Sequence, residues 1–131
     1  MQQKLVYVEL KTGFSDNGPA WIGKAFSSKT GKSTYFNGQI FSKGDRHSGG
    51  NHIELSTGDS YWISGLKRNG EDRHWAGGGK INIDKDSVPE YLVLIKSKIL
   101  PAGKFEVVEL DNEPKIDKFR ERQNQKLNPS D

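Results

Sequence analysis

Residues 20–43, AWIGKAFSSKTGKSTYFNGQIFSK, alternate with a period of two on either side of a short SKTG turn. That period puts successive side chains on opposite faces of a strand and does not fit the 3.6-residue period of an amphipathic helix. Ala20–Ser27 and Ser33–Ser42 therefore read as the strands of a β-hairpin, and Gly38 marks a bulge or sharp bend in the second. The same pattern recurs along the chain. Lys4–Lys11 sets Leu5, Tyr7 and Glu9 against Val6, Val8 and Leu10, a strand buried on most of both sides. HIELS (52–56) is a short strand and Phe105–Leu110 a last one. TGFSDNGP (12–19), GDRHSGGN (44–51) and TGDS (57–60) supply the turn residues between them.

Residues 60–84, SYWISGLKRNGEDRHWAGGGKINID, predict a second hairpin centred on Asn69-Gly70, because a type I′ turn needs positive φ at both centres. Pairing outward sets Lys67 against Asp72, Trp62 against Gly77 and Tyr61 against Gly78, so that rings cover bare glycine backbone. After KINID the period changes. Ser87 and Glu90 fit a capping box, Pro89 sits just inside the start, and Val88, Tyr91, Leu92 and Ile95 fall at helical spacing. Lys96 and Lys98 stand near its C-terminal end. The expected fold is α+β and β-rich: a small antiparallel sheet or open barrel of about six strands, one late helix and a polar C-terminal tail. Residues 1–111 are expected to form the domain, and 112–131 a tail that is weakly helical or disordered.

A chain of 131 residues fits one domain, and with 32% hydrophobic residues its core must be small, carried largely by aromatics. There is no cysteine, hence no disulfide framework or thiolate metal site. MQQKLVYVEL lacks the pattern of a signal peptide, and no apolar run approaches the ~20 residues that span a bilayer, so a cytoplasmic protein without membrane contact is expected. Charge is uneven: residues 1–104 carry fifteen Lys and Arg against ten Asp and Glu, a net of +5. No acidic residue lies between Asn17 and Gly44, where Lys24, Lys29, Lys32 and Lys43 stand. A basic face suits nucleic acid, but lysines on strand edges also guard against aggregation.

Motifs for catalysis do not survive inspection. KTGKST (29–34) ends like a phosphate-binding loop, but Phe26 stands where the pattern needs glycine, and both flanks read as strand. DRHSGGNH (45–52) lacks zinc-site spacing, so neither a metal nor a cofactor is expected. His74, near Glu71 and Asp72, could act as a general base, yet the hairpin explains all three. The aromatics leave two readings open: Trp62 and Trp75 are core, or they form an exposed base-stacking surface.

DNGPAWIG, YFNG and the pattern YWISG-K-NG-DRHW-G-G-I-ID resemble a group of small uncharacterised bacterial proteins, over roughly residues 5–94. Some of that group carry the name of a thiamine-diphosphate-dependent synthase. This chain lacks the Gly-Asp-Gly motif of such enzymes, and the resemblance implies no cofactor and no functional residues.

The expected function is a non-enzymatic binding module contacting nucleic acid, with Lys24, Lys29, Lys32, Arg68 and Arg73 on phosphates and Tyr35, Trp62 and Trp75 stacking. The alternative is a protein-interaction module, an accessory or inhibitor-like subunit anchored by its tryptophans. A small hydrolase centred on His74 ranks third.

Overall fold

The computed structural model describes residues 2–11, 18–44, 49–72 and 79–113. Among the described residues eight strands form: β1 Gln2–Leu10, β2 Ala20–Ser27, β3 Ser33–Phe36, β4 Gln39–Lys43, β5 His52–Glu54, β6 Ser60–Ser64, β7 Ile81–Asp84 and β8 Phe105–Val108. A 3-10 turn, Lys85–Ser87, leads into the helix α1 Val88–Leu94. The first six strands pair in chain order, and β6 returns to pair with β1, so an antiparallel meander closes into a barrel. Closure leaves the barrel without open sheet edges, which a six-stranded flat sheet would expose.

β2 is shared. On one side it pairs with β1 along its whole length. On the other it pairs with β3 at Phe26 and Ser27, and in parallel with β7 at Ala20–Ile22. Between these pairings lies Gly23, and the space its missing side chain leaves is taken by Leu110: a Cβ there would come within 2.9 Å of Leu110 Cδ1. Buried Asp84 holds that segment in place, accepting from the Leu110 backbone N–H at 3.3 Å and from Asn112 Nδ2 at 2.8 Å.

Alternation sorts the strands' side chains into two cores. Val6, Val8, Ala25, Phe36, Phe41, Tyr61 and Ile63 fill the barrel, where Phe41 meets Tyr61 edge-on with ring centroids 4.9 Å apart. Tyr7, Ala20, Ile22, Ile81, Ile83 and Tyr91 form the second core, between the barrel wall and the β7–β8–α1 unit. Burying a side chain of this size contributes about 1.5–3 kcal/mol each, so β1 and β2, which feed both cores, are the most heavily invested strands.

Several expectations need correction. Ser33–Ser42 is two strands: Asn37 and Gly38 take φ of +50° and +72°, closing a two-residue turn that pairs Phe36 with Gln39. The type I′ chemistry expected at Asn69-Gly70 thus occurs at Asn37-Gly38 instead. At residues 67–70, Gly70 N–H bonds Lys67 O at 3.2 Å with only Gly70 at positive φ, and Asp72 accepts from Lys67 N–H through its side chain. β6 does not face β7. Leu10, Glu9 and Val8 pair with Tyr61, Trp62 and Ile63, while His52 takes the other edge of Tyr61; residues 73–78, the glycine side of the expected hairpin, lie outside the described residues. Ser87 makes no capping bond, and its hydroxyl is buried without a partner among the described residues. The helix stops at Leu94, before Lys96, whose φ of +55° breaks the helical path. No helix among the described residues is long and apolar enough to cross a membrane.

Candidate functional site

Moving along the barrel axis, the interior-facing column of each strand changes character. On β1, Val8 and Val6 give way to Lys4; on β3, Phe36 gives way to Thr34; on β4, Phe41 gives way to Lys43. Because the side-chain period is two, these polar groups stand on the same strand face as the apolar ones, with Thr34 buried and Lys4 and Lys43 exposed at the end of the barrel. The result is a barrel plugged over most of its length and open at one end, where a cavity of about 670 Å³ remains. Its wall holds Lys4, Ser27, Thr34, Lys43 and His52, and the 28–31 turn adds Lys29 at the rim. No carboxylate lines it among the described residues.

The rim turn is built locally. Gly31, at φ +74°, donates to Ser28 O at 3.0 Å, and Ser28 Oγ accepts from Ser33 N–H. Lys43 N–H then bonds Lys32 O, tying the turn to β4.

On the opposite wall Asn51 substitutes for a strand residue. Its Nδ2 donates to Ile63 O and its Oδ1 accepts from Ile63 N–H, both at 2.8 Å. That pairing fixes which end of the amide is oxygen, so the 2.8 Å contact between Asn51 Oδ1 and His52 Nδ1 requires Nδ1 to be the protonated nitrogen. Nε2 is left as the lone-pair nitrogen on a side chain that lines the cavity. Burial and the neighbouring Lys43 ammonium hold the His52 imidazole below its ordinary range, so it is neutral at pH 7. Glu54, two residues on, is engaged elsewhere: Ser56 and Thr57 each donate to it from backbone and hydroxyl. Burial pushes its carboxyl up, and those bonds more than reverse the shift, leaving it below the usual carboxylate range.

The residues expected to bind are scattered. Lys29 stands at the cavity rim and Lys32 is exposed beside it. Lys24 lies half-buried on the outer wall, paired across from Leu5, and Arg68 is exposed on the 67–70 turn. Tyr35 is only 4% exposed, packed in the wall, and offers no ring face to a base. Trp62 points outward and is 40% exposed, bordering a surface depression that it shares with Lys43, Gly49, Gly50 and Asn51. Arg73 and Trp75, with His74, lie outside the described residues. Lys4, Lys43, Asn51 and His52 are not among the residues expected to bind; Lys43 enters the sequence argument only within the basic 17–44 segment, and His52 only at the end of the DRHSGGNH run set aside as a zinc motif. Their signal was present: Lys4 and Lys43 each sit two residues from a core position on the same strand face.

Among the described residues no three His, Asp or Glu side chains come together as a metal-ligand set. Comparisons of the chain with family models, with curated proteins and with solved structures find no match.

Proposed function

We propose that this protein is a binding module, not an enzyme, that engages nucleic acid at the open end of its barrel. The observation that carries this reading is the cavity mouth, where Lys4, Lys29 and Lys43 converge without an opposing carboxylate among the described residues. Ammonium groups placed this way attract phosphates, and binding releases the counterions condensed on the strand. Ser27 and Thr34 hydroxyls add uncharged donors in the wall, and Trp62 beside Lys43 gives a neighbouring base an aromatic face. Glu54, the carboxylate two residues from His52, is already saturated by its own turn.

Three lysines neutralising about three phosphate charges of a single strand, at its end or along it, give a salt slope of about −2, so affinity falls roughly 15-fold between 50 and 200 mM salt. Fluorescence anisotropy with labelled single- and double-stranded DNA and RNA measures this directly. Absence of binding to all of them at 50 mM salt overturns the reading.

A second reading, a protein partner, draws on the exposed apolar side chains Val93, Ile99 and Val107 on α1, the loop after it and β8. It predicts that Val107→Lys abolishes capture of a defined protein partner while leaving oligonucleotide binding unchanged.

A further inference from the structure

The cavity is blind. Val6, Ala25 and Ile63 appear both in its lining and in the buried core, and Phe41 and Tyr61 close the barrel beyond them. A polymer cannot thread such a space; only a chain end or a small molecule enters it. At about 670 Å³ the volume falls in the range of small-molecule sites, ~300–1,000 Å³, and suits one nucleotide. Three ammonium groups favour the doubly charged phosphate of a monoester over the single charge of an internal diester.

The orientation of His52 adds a second constraint. Ile63 fixes Asn51, Asn51 fixes the imidazole tautomer, and the ring keeps Nε2 as a lone-pair acceptor in a wall whose charged groups are all ammonium donors. A fully ionised phosphate has no proton for that nitrogen. A proton taken up on binding serves both partners, whether it sits on the phosphate oxygen or on Nε2.

We infer that the cup receives a terminal phosphate monoester, on a strand end or a free nucleotide, and that the complex holds one proton between the phosphate and His52 Nε2. This rests on the nucleic-acid reading above for its choice of ligand. The groups facing His52 are Lys43 from β4, Tyr61 from β6, Glu54 on its own strand, Lys4 from β1 and Lys29 from the rim turn. Burial raises the Tyr61 phenol, so it stays neutral, and Glu54 stays ionised. The monoester's second ionisation lies near pH 6. Above that pH the free ligand is a dianion and free His52 is neutral, so binding takes up a proton. Affinity then falls as pH rises, by up to tenfold per unit.

The test compares one labelled single strand carrying either a 5′-phosphate or a 5′-hydroxyl, at 50 mM salt and at pH 6 and pH 8. Adenosine monophosphate, adenosine and inorganic phosphate serve as competitors, and calorimetry measures the monophosphate alone. The phosphorylated strand is expected to bind about tenfold tighter at pH 6 and to weaken about tenfold or more by pH 8. The hydroxyl strand changes less than twofold, and His52→Gln removes the pH dependence. If His52→Gln fails to fold, Lys4→Gln, at an exposed side chain, is expected to weaken the phosphorylated strand more than the hydroxyl one. Displacement by the monophosphate and not by adenosine identifies a free nucleotide as sufficient; displacement by inorganic phosphate as well identifies the phosphate alone. Competition only by phosphorylated strands identifies the strand end. Equal binding of both strands, or a pH-independent preference, overturns this inference and leaves the nucleic-acid reading standing. Monophosphate binding with no strand binding removes that reading and keeps the monoester site. No binding by any probe overturns both.

Discussion

Replacing Asn51 with alanine tests the wall on which the cavity depends. Asn51 supplies both missing partners of Ile63, donating to its carbonyl and accepting from its N–H at 2.8 Å, and it also holds His52 Nδ1. Ile63 is buried at 9% exposure, so water reaches the abandoned groups poorly. Each lost bond is worth about 1 kcal/mol net, and a stranded buried backbone group costs about 1–3 kcal/mol. For Asn51→Ala the loss should total about 2–4 kcal/mol. With a urea slope near 1.5 kcal/mol/M, typical of small domains, the unfolding midpoint falls by about 2 M at unchanged slope. Hydrogen exchange at the Ile63 amide accelerates in the same variant. Asn51→Asp keeps the acceptor but sets a carboxylate oxygen against the Ile63 carbonyl, so its midpoint falls at least as far. A midpoint within about 0.3 M of the parent for Asn51→Ala, with Ile63 still protected, would refute the claim that this side chain completes the barrel wall.

Three other perturbations follow from the same structure. Glu54 has its folded value held below the ordinary 4.5, so its stabilisation is present above about pH 4.5 and is lost as pH falls through the folded value; Glu54→Gln should flatten the acid limb of the stability curve, and an unchanged limb argues against it. Gly38→Ala forces a Cβ into φ +72°, and thermal unfolding should show a loss of about 1–2 kcal/mol; a neutral result means the Asn37-Gly38 turn is wrongly described. Burial, with Asp72 nearby, pushes the Tyr91 phenol up to about 12, and its hydroxyl has no partner among the described residues. Tyr91→Phe should therefore be neutral or stabilising by up to about 1 kcal/mol, and a loss above ~2 kcal/mol means that the hydroxyl is bonded.

β1 and β2 were legible in the sequence because their alternation is driven by burial on both faces, which one-dimensional pattern reading detects well. The β-rich, barrel-like architecture and its late helix followed from the turn residues and the change of period, although Ser33–Ser42 holds two of the barrel's strands. Asn-Gly was the instructive case. The chain has three such pairs; Asn17-Gly18 runs straight into Pro19, and turn chemistry alone does not rank the other two. Asn37-Gly38 is flanked by buried Tyr35, Phe36, Ile40 and Phe41, whose pairing stabilises the hairpin, whereas Asn69-Gly70 is flanked by exposed Lys67, Arg68 and Glu71. Burial selects the turn. The parallel pairing of β7 with β2 joins residues some sixty positions apart, and nothing local encodes it. The cavity was hidden for a related reason. Lys4, Lys43 and His52 come from three strands, and only barrel closure brings them into one wall. Charge weighed by segment finds Lys29 at the rim but gives equal weight to Lys24, on the outer wall.

The central claim is that ligand enters the open end of the barrel. Nuclear magnetic resonance of the isotope-labelled protein tests it most directly, by titrating a 5′-phosphorylated single strand at 50 mM salt and pH 6. The account predicts that the amides of Lys4, Ser27, Lys29, Thr34, Lys43 and His52 shift together, while those of Val93, Ile99 and Val107 remain still. Shifts confined to α1 and β8, with the cavity residues unmoved, would contradict it.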